Sequence, residues 1–344
     1  MDADEEEYRL NRELYTDTYA YRQMEADALR HRAFEDIVVE FDESYRPDRP
    51  LKVIGGQHRV KSIQEAVGHG VSEIHGLRVF FDLNDEQKVD IATVNNTSIV
   101  VANDLLDRMQ EELLGTDLRD WSQRARFLDA RQNFADKRNP EGIPTVRSAR
   151  TFIVNYYLGI NGDALDSLHV PYICVTGPRL DQKYAGLHPQ IEWKDENLLR
   201  AGKEWARLHA LQQERVRNRD EDNHSEYANK ALHPTVLAAW AYSAGLFQRE
   251  PAHLNNHYAL GEWKRGDPLN AVALYGARLK VIDPDNYRGL GARMNRRELG
   301  RMFEVFNLQA SKGSGITEKL ANAAIMTYEA KQRNVDAEKA RRNI

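Results

Sequence analysis

The sequence predicts an α+β fold whose C-terminal half is mainly helical. Between residues 51 and 94, short apolar runs alternate with helical patterns in the order strand, glycine turn, helix, strand, helix. From about residue 120 onward, apolar residues recur at three- and four-residue spacing, which is typical of amphipathic helices. The chain has 344 residues and is 41% hydrophobic, so its length predicts two or three domains with sizeable cores.

Composition narrows the classes of protein to which this chain can belong. No apolar run approaches the roughly 20 residues of a membrane span, and the N-terminus reads MDADEEE where a secretory signal would be basic and then apolar. The single cysteine, Cys174, excludes an internal disulfide framework and a zinc site built from cysteines. The net charge of −5 is compatible with nucleic acid as a partner, because local patches matter more than the sum. We therefore expect a cytoplasmic protein without a membrane partner.

The predicted elements follow from apolar spacing and from glycine, proline and capping residues. In the N-terminal third they are a polar helix or helix pair over 8–33, strands over 34–41 and 51–54, a helix over 57–67, a strand over 77–81, and helices over 86–94 and 104–114. Further along they are helices over 121–134, 146–158, 197–216, 234–247, 269–281, 296–306 and 318–330, and one strand over 170–175. Thr317 is the predicted N-cap of the last helix.

These elements suggest four segments. Residues 1–34 form an N-terminal helical extension, and residues 35–190 form the domain that contains the strands. Residues 191–335 form a helical domain, and residues 336–344 form a charged, loose tail.

One strand-to-helix junction combines residues that suit phosphate chemistry. Gly55, Gly56, Gln57, His58 and Arg59 directly follow a predicted strand and open a predicted helix. Glycines let an anion approach the unpaired N–H groups at the positive end of a helix dipole, and an arginine adds a bidentate phosphate contact. Histidine can carry a proton or donate to phosphate. The alternative is an ordinary tight turn with a surface histidine and arginine.

This junction and two segments after it resemble a known family. The stretch IGGQHRVKSIQEA at 54–66 resembles the signature of DGQHR-domain (DndB-like) proteins, a branch of the ParB/sulfiredoxin superfamily. FFDLNDEQ at 80–87 and VNNT at 94–97 resemble the segments that follow in that family. The three matches span residues 50–115, and Gly55 stands where the family has aspartate. The resemblance implies a ParB/sulfiredoxin-like fold for the N-terminal domain.

The resemblance also implies a nucleotide site and a biological setting. ParB-like relatives bind and hydrolyse nucleoside triphosphates, and the DGQHR branch is associated with bacterial DNA modification. Carried over to this chain, the catalytic candidates are Gln57, His58 and Arg59. The candidate nucleotide-binding residues are Gly55, Gly56, Lys61, Asn95, Asn96 and Thr97. Gln57 or His58 would position water, and Asn95 would hold ribose, base or a hydrated Mg²⁺; a helix C-cap and Asx turn is the alternative for residues 95–97.

Two basic stretches are candidate DNA contacts. Residues 124–150 and 288–301 are rich in arginine, although the chain as a whole is acidic. Such patches can bind the phosphate backbone, and the alternative is the solvated outer face of a helix. The candidate DNA-binding residues are Arg124, Arg126, Arg131, Arg293, Arg296 and Arg297.

Other motifs favour structural interpretations. The loop 312–317 lacks the order of a Walker A motif, so we expect a flexible loop that ends in a helix cap. His253 and His257 have helical spacing but no accompanying carboxylate motif, so a structural pair is favoured over a metal site. Trp205, Trp240 and Trp263 are interpreted as core residues, and Cys174 as buried and inert.

The leading functional hypothesis is an accessory ATPase of a bacterial DNA-modification system. The hypothesis places ATP on the glycine turn, with Arg59 and Lys61 neutralising its phosphates. The expected partners are DNA and a transglycosylase-like enzyme that inserts 7-deazaguanine bases. One alternative is a DNA-binding transcriptional regulator of a phosphorothioation system, without turnover. A nuclease is a third possibility, but the acids Asp82, Asp85 and Glu86 are better explained as a helix start.

Overall fold

A computed structural model of the chain places most of its residues. It describes residues 19–43, 48, 50–84, 86–88, 90–91, 103–139, 142–162, 168–177, 179–217, 227, 229–263, 266–278 and 289–342. The fold divides into two compact units. The sheet unit comprises residues 1–115 and 177–179, and the helical unit comprises residues 116–176 and 180–344.

The sheet unit contains a small mixed sheet. Its strands are β1 (Ile37–Phe41), β2 (Leu51–Gly55) and β3 (Leu77–Phe81), in the order β2-β1-β3. β1 pairs antiparallel with β2, with an irregularity between Val38 and Val39, and parallel with β3 in unbroken register from Ile37 with Leu77. All three strands lie where the apolar runs predicted them, and the α+β class is confirmed.

Helices supply the rest of the sheet unit. They are α1 (Tyr19–Leu29), α2 (Gln57–Gly68) and α3 (Asn103–Leu114), and residues 86–88 and 90–91 are also helical. Val38 of β1 and Ile54 of β2 pack with Leu105, Leu106 and Met109 of α3 to form a compact apolar core. This core fixes β2, and therefore the turn that follows it.

A buried ion pair lies in the middle strand of this sheet. Glu40 of β1 is 3% exposed, and its Oε1 lies 3.0 Å from Nζ of Lys88. Burying a carboxylate without a partner would cost several kcal/mol, so the contact with Lys88 offsets part of the cost of burying Glu40.

The helical unit is built from amphipathic and fully buried helices. They are α4 (Asp117–Arg124), α5 (Val146–Asn161), α6 (Gln182–Leu187), α7 (Glu196–Arg217), α8 (Pro234–Leu246), α9 (Pro251–Tyr258), α10 (Ala271–Gly276), α11 (Arg296–Lys312) and α12 (Glu318–Arg342). Short 3₁₀ turns occupy 188–190, 229–232, 247–249 and 259–262.

Helix α8 is the centre of the helical unit. Twelve of its residues, Thr235–Leu246, are buried, which matches its apolar sequence on every face. It packs against α5 at two glycines: a Cβ on Gly159 would overlap the carbonyl oxygen of Tyr242, and one on Gly245 would overlap that of Tyr156. The two backbones can approach this closely only because neither glycine carries a side chain.

The structure corrects the strand predicted over 170–175, which has no strand partner among the described residues. Side chains take over the hydrogen bonds of its backbone. Asn155 of α5 donates to O of Tyr172 (2.6 Å) and accepts from N of Tyr172 (2.8 Å), and Asp181 accepts from N of Val175 (2.8 Å). An extended apolar run can thus satisfy its polar groups without joining a sheet.

Three further boundaries differ from the sequence analysis. The helix predicted to reach residue 134 ends at Arg124, because Arg126 adopts positive φ and turns the chain. The predicted domain boundary at 190 falls inside the helical unit, since α4 and α5 share one apolar core with α7 and α8. The tail predicted to be loose is helical as far as Arg342. Within the described residues, no helix is both long enough and apolar enough to span a membrane.

Candidate functional site

The glycine turn joins β2 to α2. Gly55 is the last residue of β2 and pairs with Val38, and Gly56 has φ of 95° and ψ of 22°, a left-handed conformation that glycine adopts without a Cβ penalty. Helix α2 starts at Gln57 and is 12 residues long, and its N-cap residue, Gly56, has no side chain with which to cap the first turn. The positive end of the α2 dipole therefore lies at the turn, where an anion is favoured.

The guanidinium of Arg59 folds back over this turn. Its Nη1 donates to the carbonyl oxygens of Glu35 and Asp36, both at 2.9 Å. The position that a Cβ would take on Gly56 lies 3.3 Å from Nε and 3.7 Å from Nη2 of Arg59. The Arg59 side chain is 12% exposed, so it is held in place at the edge of the unit.

This geometry divides the donors of Arg59 into two groups. Nη1 holds the chain that precedes β1, whereas Nε and Nη2 face Gly56 and make no hydrogen bond within the described part of the chain. The Nε and Nη2 edge of a guanidinium is a fork that binds two oxygens of a phosphate or carboxylate at once. The turn can therefore offer an anion this fork and the amides that open α2.

Gln57 and His58 are nearly enclosed. They are 7% and 5% exposed, and the His58 ring meets the ring of Tyr21 from α1 edge-on at 6.0 Å between centroids. Burial, followed by the charges of Glu25 and Glu65, raises the pKa of Tyr21, so that ring stays neutral. A residue that orients attacking water must reach the phosphate, and in this arrangement His58 packs against Tyr21 instead.

The remaining predicted nucleotide ligands are only partly placed. Nζ of Lys61 lies 3.4 Å from Oε1 of Glu65, one turn further along α2, and both side chains are about 40% exposed. Its charge is therefore engaged in a surface pair of small energetic weight. Asn95, Asn96 and Thr97 lie outside the described residues.

The first basic set lies at the end of α4. Arg124 donates from Nη2 to the carbonyl oxygen of Trp193 at 2.7 Å. Arg126 and Arg131 are exposed and have φ of 62° and 68°, which is unusual for residues with a side chain. Within the described chain neither of their guanidiniums forms a hydrogen bond or ion pair, so both charges face solvent.

The second basic set is largely engaged in ion pairs. Arg297 binds Glu329 in bidentate fashion, from Nε at 2.7 Å and Nη2 at 2.8 Å, and Arg293 lies 3.7 Å from Oε2 of Glu298. Burial alone would raise the pKa of Glu329, but hydrogen bonds from Arg297 and Arg301 hold that pKa below its usual range. Arg296 remains exposed on the first turn of α11, so this set offers less charge to DNA than its sequence suggests.

Most of the motifs interpreted as structural are so in the described chain, but the prediction for Trp263 is wrong: Trp205 and Trp240 lie in the core, whereas Trp263 is 43% exposed. His257 is fully buried, donates from Nε2 to O of Trp240 at 3.1 Å, and has its pKa lowered to about 3 by burial. Burial raises the pKa of Cys174 to about 12, so its thiol is inert. Thr317 caps α12 by accepting from N of Leu320 at 3.2 Å. No group of three or more His, Cys, Asp or Glu residues that could hold a metal occurs among the described residues.

Sequence analysis missed the groups that position Arg59 and enclose His58. These are the carbonyl oxygens of Glu35 and Asp36, together with the ring of Tyr21 beside His58. A main-chain oxygen leaves no trace in the sequence, since any residue supplies one. Tyr21 lies in a polar helix without a motif, so no pattern connects it with the turn.

Comparisons of this chain with protein-family models, with curated proteins and with solved structures find no match.

Proposed function

We propose that the chain binds a nucleoside triphosphate at the Gly56 turn and serves as an accessory ATPase of a bacterial DNA-modification system. The observation that carries this proposal is the fork of Arg59, whose Nε and Nη2 face a left-handed glycine at the start of α2. Helix amides and a guanidinium are the donors that phosphate oxygens favour. The proposal assigns the sheet unit a ParB/sulfiredoxin-like fold, in keeping with the resemblance of residues 50–115.

In this proposal a phosphate group lies over Gly56 between the α2 amides and Arg59. Gln57 or His58 would orient the attacking water, and Lys61 would leave Glu65 to add charge. The donors described at the turn suit phosphate oxygens rather than a cation, so no Mg²⁺ ligand is assigned among them. DNA and a transglycosylase-like enzyme that inserts 7-deazaguanine are the proposed partners.

A second candidate is a nucleotide-binding regulator that represses transcription without turnover. The burial of Gln57 and His58 favours it, because neither side chain is exposed enough to place water in line with a scissile bond. Binding alone needs only the amides and Arg59, and these are present.

Thermal shift with ATP and with a non-hydrolysable analogue tests binding. A ligand at 100 times its Kd stabilises the folded protein by about 2.7 kcal/mol, which raises the melting temperature. Arg59→Ala should abolish this rise. Arg78→Ala is the matched control, since Arg78 belongs to the same unit but lies on β3, which β1 separates from β2 and its turn. An undiminished rise in Arg59→Ala would show that ATP binds elsewhere.

Phosphate release by Gln57→Ala and His58→Ala separates the two candidate functions. The ATPase requires each variant to keep its nucleotide affinity within about tenfold, and at least one to lose about 100-fold in turnover. A wild type that binds ATP but releases no phosphate, with or without DNA, would favour the regulator.

Contact with DNA is tested by salt dependence. If Arg124, Arg126 and Arg131 contact the phosphate backbone, binding weakens steeply with salt through counterion release. Reversing these three charges to Glu should weaken binding equally for all DNA sequences. Salt-insensitive binding would contradict the proposed contact.

A further inference from the structure

The helical unit contains a cavity of about 330 Å³ that no predicted motif explains. It opens beside the end of α4 and the starts of α5 and α8, with α7 as one wall. Phe127, Trp205 and His209 contribute rings to its lining, and Arg126, Arg138 and Asp129 contribute charges. This volume lies near the lower end of the range of about 300–1,000 Å³ that is typical of small-molecule sites.

Arg126 occupies a backbone position that normally belongs to glycine. N of Arg126 donates to O of Gln123 at 3.1 Å, and N of Phe127 donates to O of Ser122 at 2.8 Å. This pair of hydrogen bonds is the Schellman motif that ends many helices, and its left-handed residue is usually glycine. The chain instead keeps a strained arginine there, with φ of 62° and a guanidinium that has no partner within the described chain. Backbone strain of this kind concentrates at functional sites.

The aromatic walls are held rigidly by the core. The Phe127 ring lies 5.3 Å from that of Trp121 and 5.1 Å from that of Phe152. The Trp205 ring lies 5.5 Å from that of Trp240, and also 5.5 Å from that of His209 on the next turn of α7. Trp205 is only 2% exposed, so the half-buried rings of Phe127 and His209 supply the surfaces that face the cavity. Rings fixed in this way favour a ligand that is itself a planar ring.

Beside these rings the cavity is electropositive. Its described lining carries two guanidiniums and one carboxylate, and Arg138 is anchored by a 3.3 Å bond from Nη2 to O of Leu232. Helix α5 starts at the cavity without an acidic residue in its first turn. Burial, and then the charges of Arg138 and Lys230, lower the pKa of the neighbouring His233 to about 4. A negatively charged group is therefore favoured next to the ring.

We infer that this cavity binds a nucleoside monophosphate, with its base against Phe127 and His209 and its phosphate at Arg126 and Arg138. The nucleotide is either free or part of a single strand, since both present the same base and phosphate. This site lies in a different unit from the Gly56 turn, so a failed test of the proposed ATP site would not contradict it.

Tryptophan fluorescence tests the inference, because Trp205 lines the cavity and the sheet unit contains no tryptophan. The probes are AMP and CMP as free nucleotides, a short single-stranded oligodeoxynucleotide, and ribose 5-phosphate as the control without a base. We expect saturable quenching by a free nucleotide or by the single strand. The probe that binds more tightly shows whether the ligand is a free nucleotide or part of a strand. Ribose 5-phosphate should bind at least tenfold more weakly.

Replacing Arg126 with glycine separates its part in ligand binding from its part in folding. Arg126→Gly removes the cation and also relieves the left-handed strain, so it should fold well and bind at least tenfold more weakly. Lys203→Ala is the control for the loss of a cation: Lys203 is exposed on α7 but does not line the cavity, so the affinity of this variant should be unchanged.

Three results would overturn the inference: no saturable quenching by any base-containing probe, equal affinity for ribose 5-phosphate, or unchanged affinity in Arg126→Gly.

Discussion

The sheet unit and the helical unit bury their interiors by different means. The sheet unit has a small apolar core around Val38 and Ile54, and it buries a charged pair, Glu40 with Lys88, in the same sheet. The helical unit has one broad apolar core in which α5 and α8 touch at glycines. Buried charge does not separate the two units, because the helical unit also buries Arg301, which lies 2.6 Å from Glu329. The difference lies in the apolar core, which is broad in the helical unit and small in the sheet unit, where polar contacts such as the Arg59 bonds hold the turn.

Each unit also contains a left-handed turn next to a charged side chain, and the two turns are built in opposite ways. In the sheet unit glycine takes the left-handed position at the start of a helix, and the arginine three residues later is anchored to carbonyl oxygens. In the helical unit the arginine itself takes the left-handed position at the end of a helix. The first turn is relaxed, and the second is strained.

The largest expected effect concerns the packing of the helical unit. Gly245→Ala puts a methyl group onto the carbonyl oxygen of Tyr156, so α5 and α8 must separate. Overpacking of this kind, set against a rigid backbone, should lower the free energy of unfolding by about 3 kcal/mol or more. Denaturation followed by tryptophan fluorescence measures it, because all five tryptophans lie in the helical unit.

Gly68→Ala is the control in the sheet unit, where hydrogen exchange of the α2 amides is the measurement because that unit has no tryptophan. Gly68 ends α2 with nothing within 4 Å of its added Cβ, so alanine should stabilise that helix by up to about 1 kcal/mol. Equal effects of the two substitutions would show that the α5–α8 contact is not a limiting feature of the helical unit.

The second effect is a loss of stability of the helical unit in acid. The folded pKa of His257 is about 3 and its unfolded pKa is about 6.5, so protons bind preferentially to the unfolded chain. The stability that depends on neutral His257 is fully present above pH 6.5 and is lost as the pH falls toward 3. At pH 5 the free energy of unfolding should be lower by about 2 kcal/mol. His233, whose pKa is lowered to about 4, adds a comparable loss at pH 5 in the same direction, because both folded pKa values lie below that pH.

Urea denaturation at pH 7 and pH 5, followed by tryptophan fluorescence, measures this loss. His257→Gln keeps a donor for O of Trp240 but cannot titrate, so it should reduce the pH dependence by about half. A wild type equally stable at both pH values, or a variant with undiminished pH dependence, would contradict the assignment.

Features of the fold that depend on neighbouring residues could be predicted from the sequence, whereas contacts between distant residues could not. The three strands, the glycine turn and most helices follow from local apolar spacing and from glycine, so the sequence contained them. Residues 170–175 looked like a strand for the same local reason, yet their backbone bonds are made by Asn155 and Asp181, which lie elsewhere in the chain. The spacing of apolar residues indicates which residues are buried. It does not indicate which groups form the hydrogen bonds of a buried backbone.

The candidate site shows the same division. The identities of Gly56 and Arg59 could be read from the motif, but the two carbonyl oxygens that hold Arg59 could not. The sequence analysis also treated Gln57 and His58 as exposed catalytic groups, whereas folding α1 against α2 encloses His58 under Tyr21. In the helical unit, nothing in the sequence marks Arg126 as left-handed, because arginine is rare at such positions.

The third effect tests the relaxed turn. Gly56→Ala forces a side chain into φ of 95° and brings its Cβ within 3.3 Å of Nε of Arg59. We expect a loss of about 1–2 kcal/mol in the protection of α2 amides, together with weaker binding of ATP. Hydrogen exchange is the suitable measurement, because the sheet unit has no tryptophan. Unchanged protection would mean that the turn tolerates a side chain and is not shaped for close approach of a ligand.

The smallest expected effect is a gain in the stability of the helical unit. Arg126→Gly relieves a left-handed arginine, which should stabilise the helical unit, and the larger entropy of glycine in the unfolded chain offsets part of this, leaving about 0.5–1 kcal/mol. Arg126→Ala removes the same guanidinium but keeps the Cβ and the strain, so its stability should stay close to that of the wild type. The difference between these two variants, measured by urea denaturation, isolates the backbone strain from the charge. If Arg126→Gly is no more stable than Arg126→Ala, the left-handed position is not strained, and the contrast between the two turns fails. If it is more stable, the natural chain keeps an arginine at a cost in stability, as expected where a guanidinium is needed at the mouth of a ligand cavity.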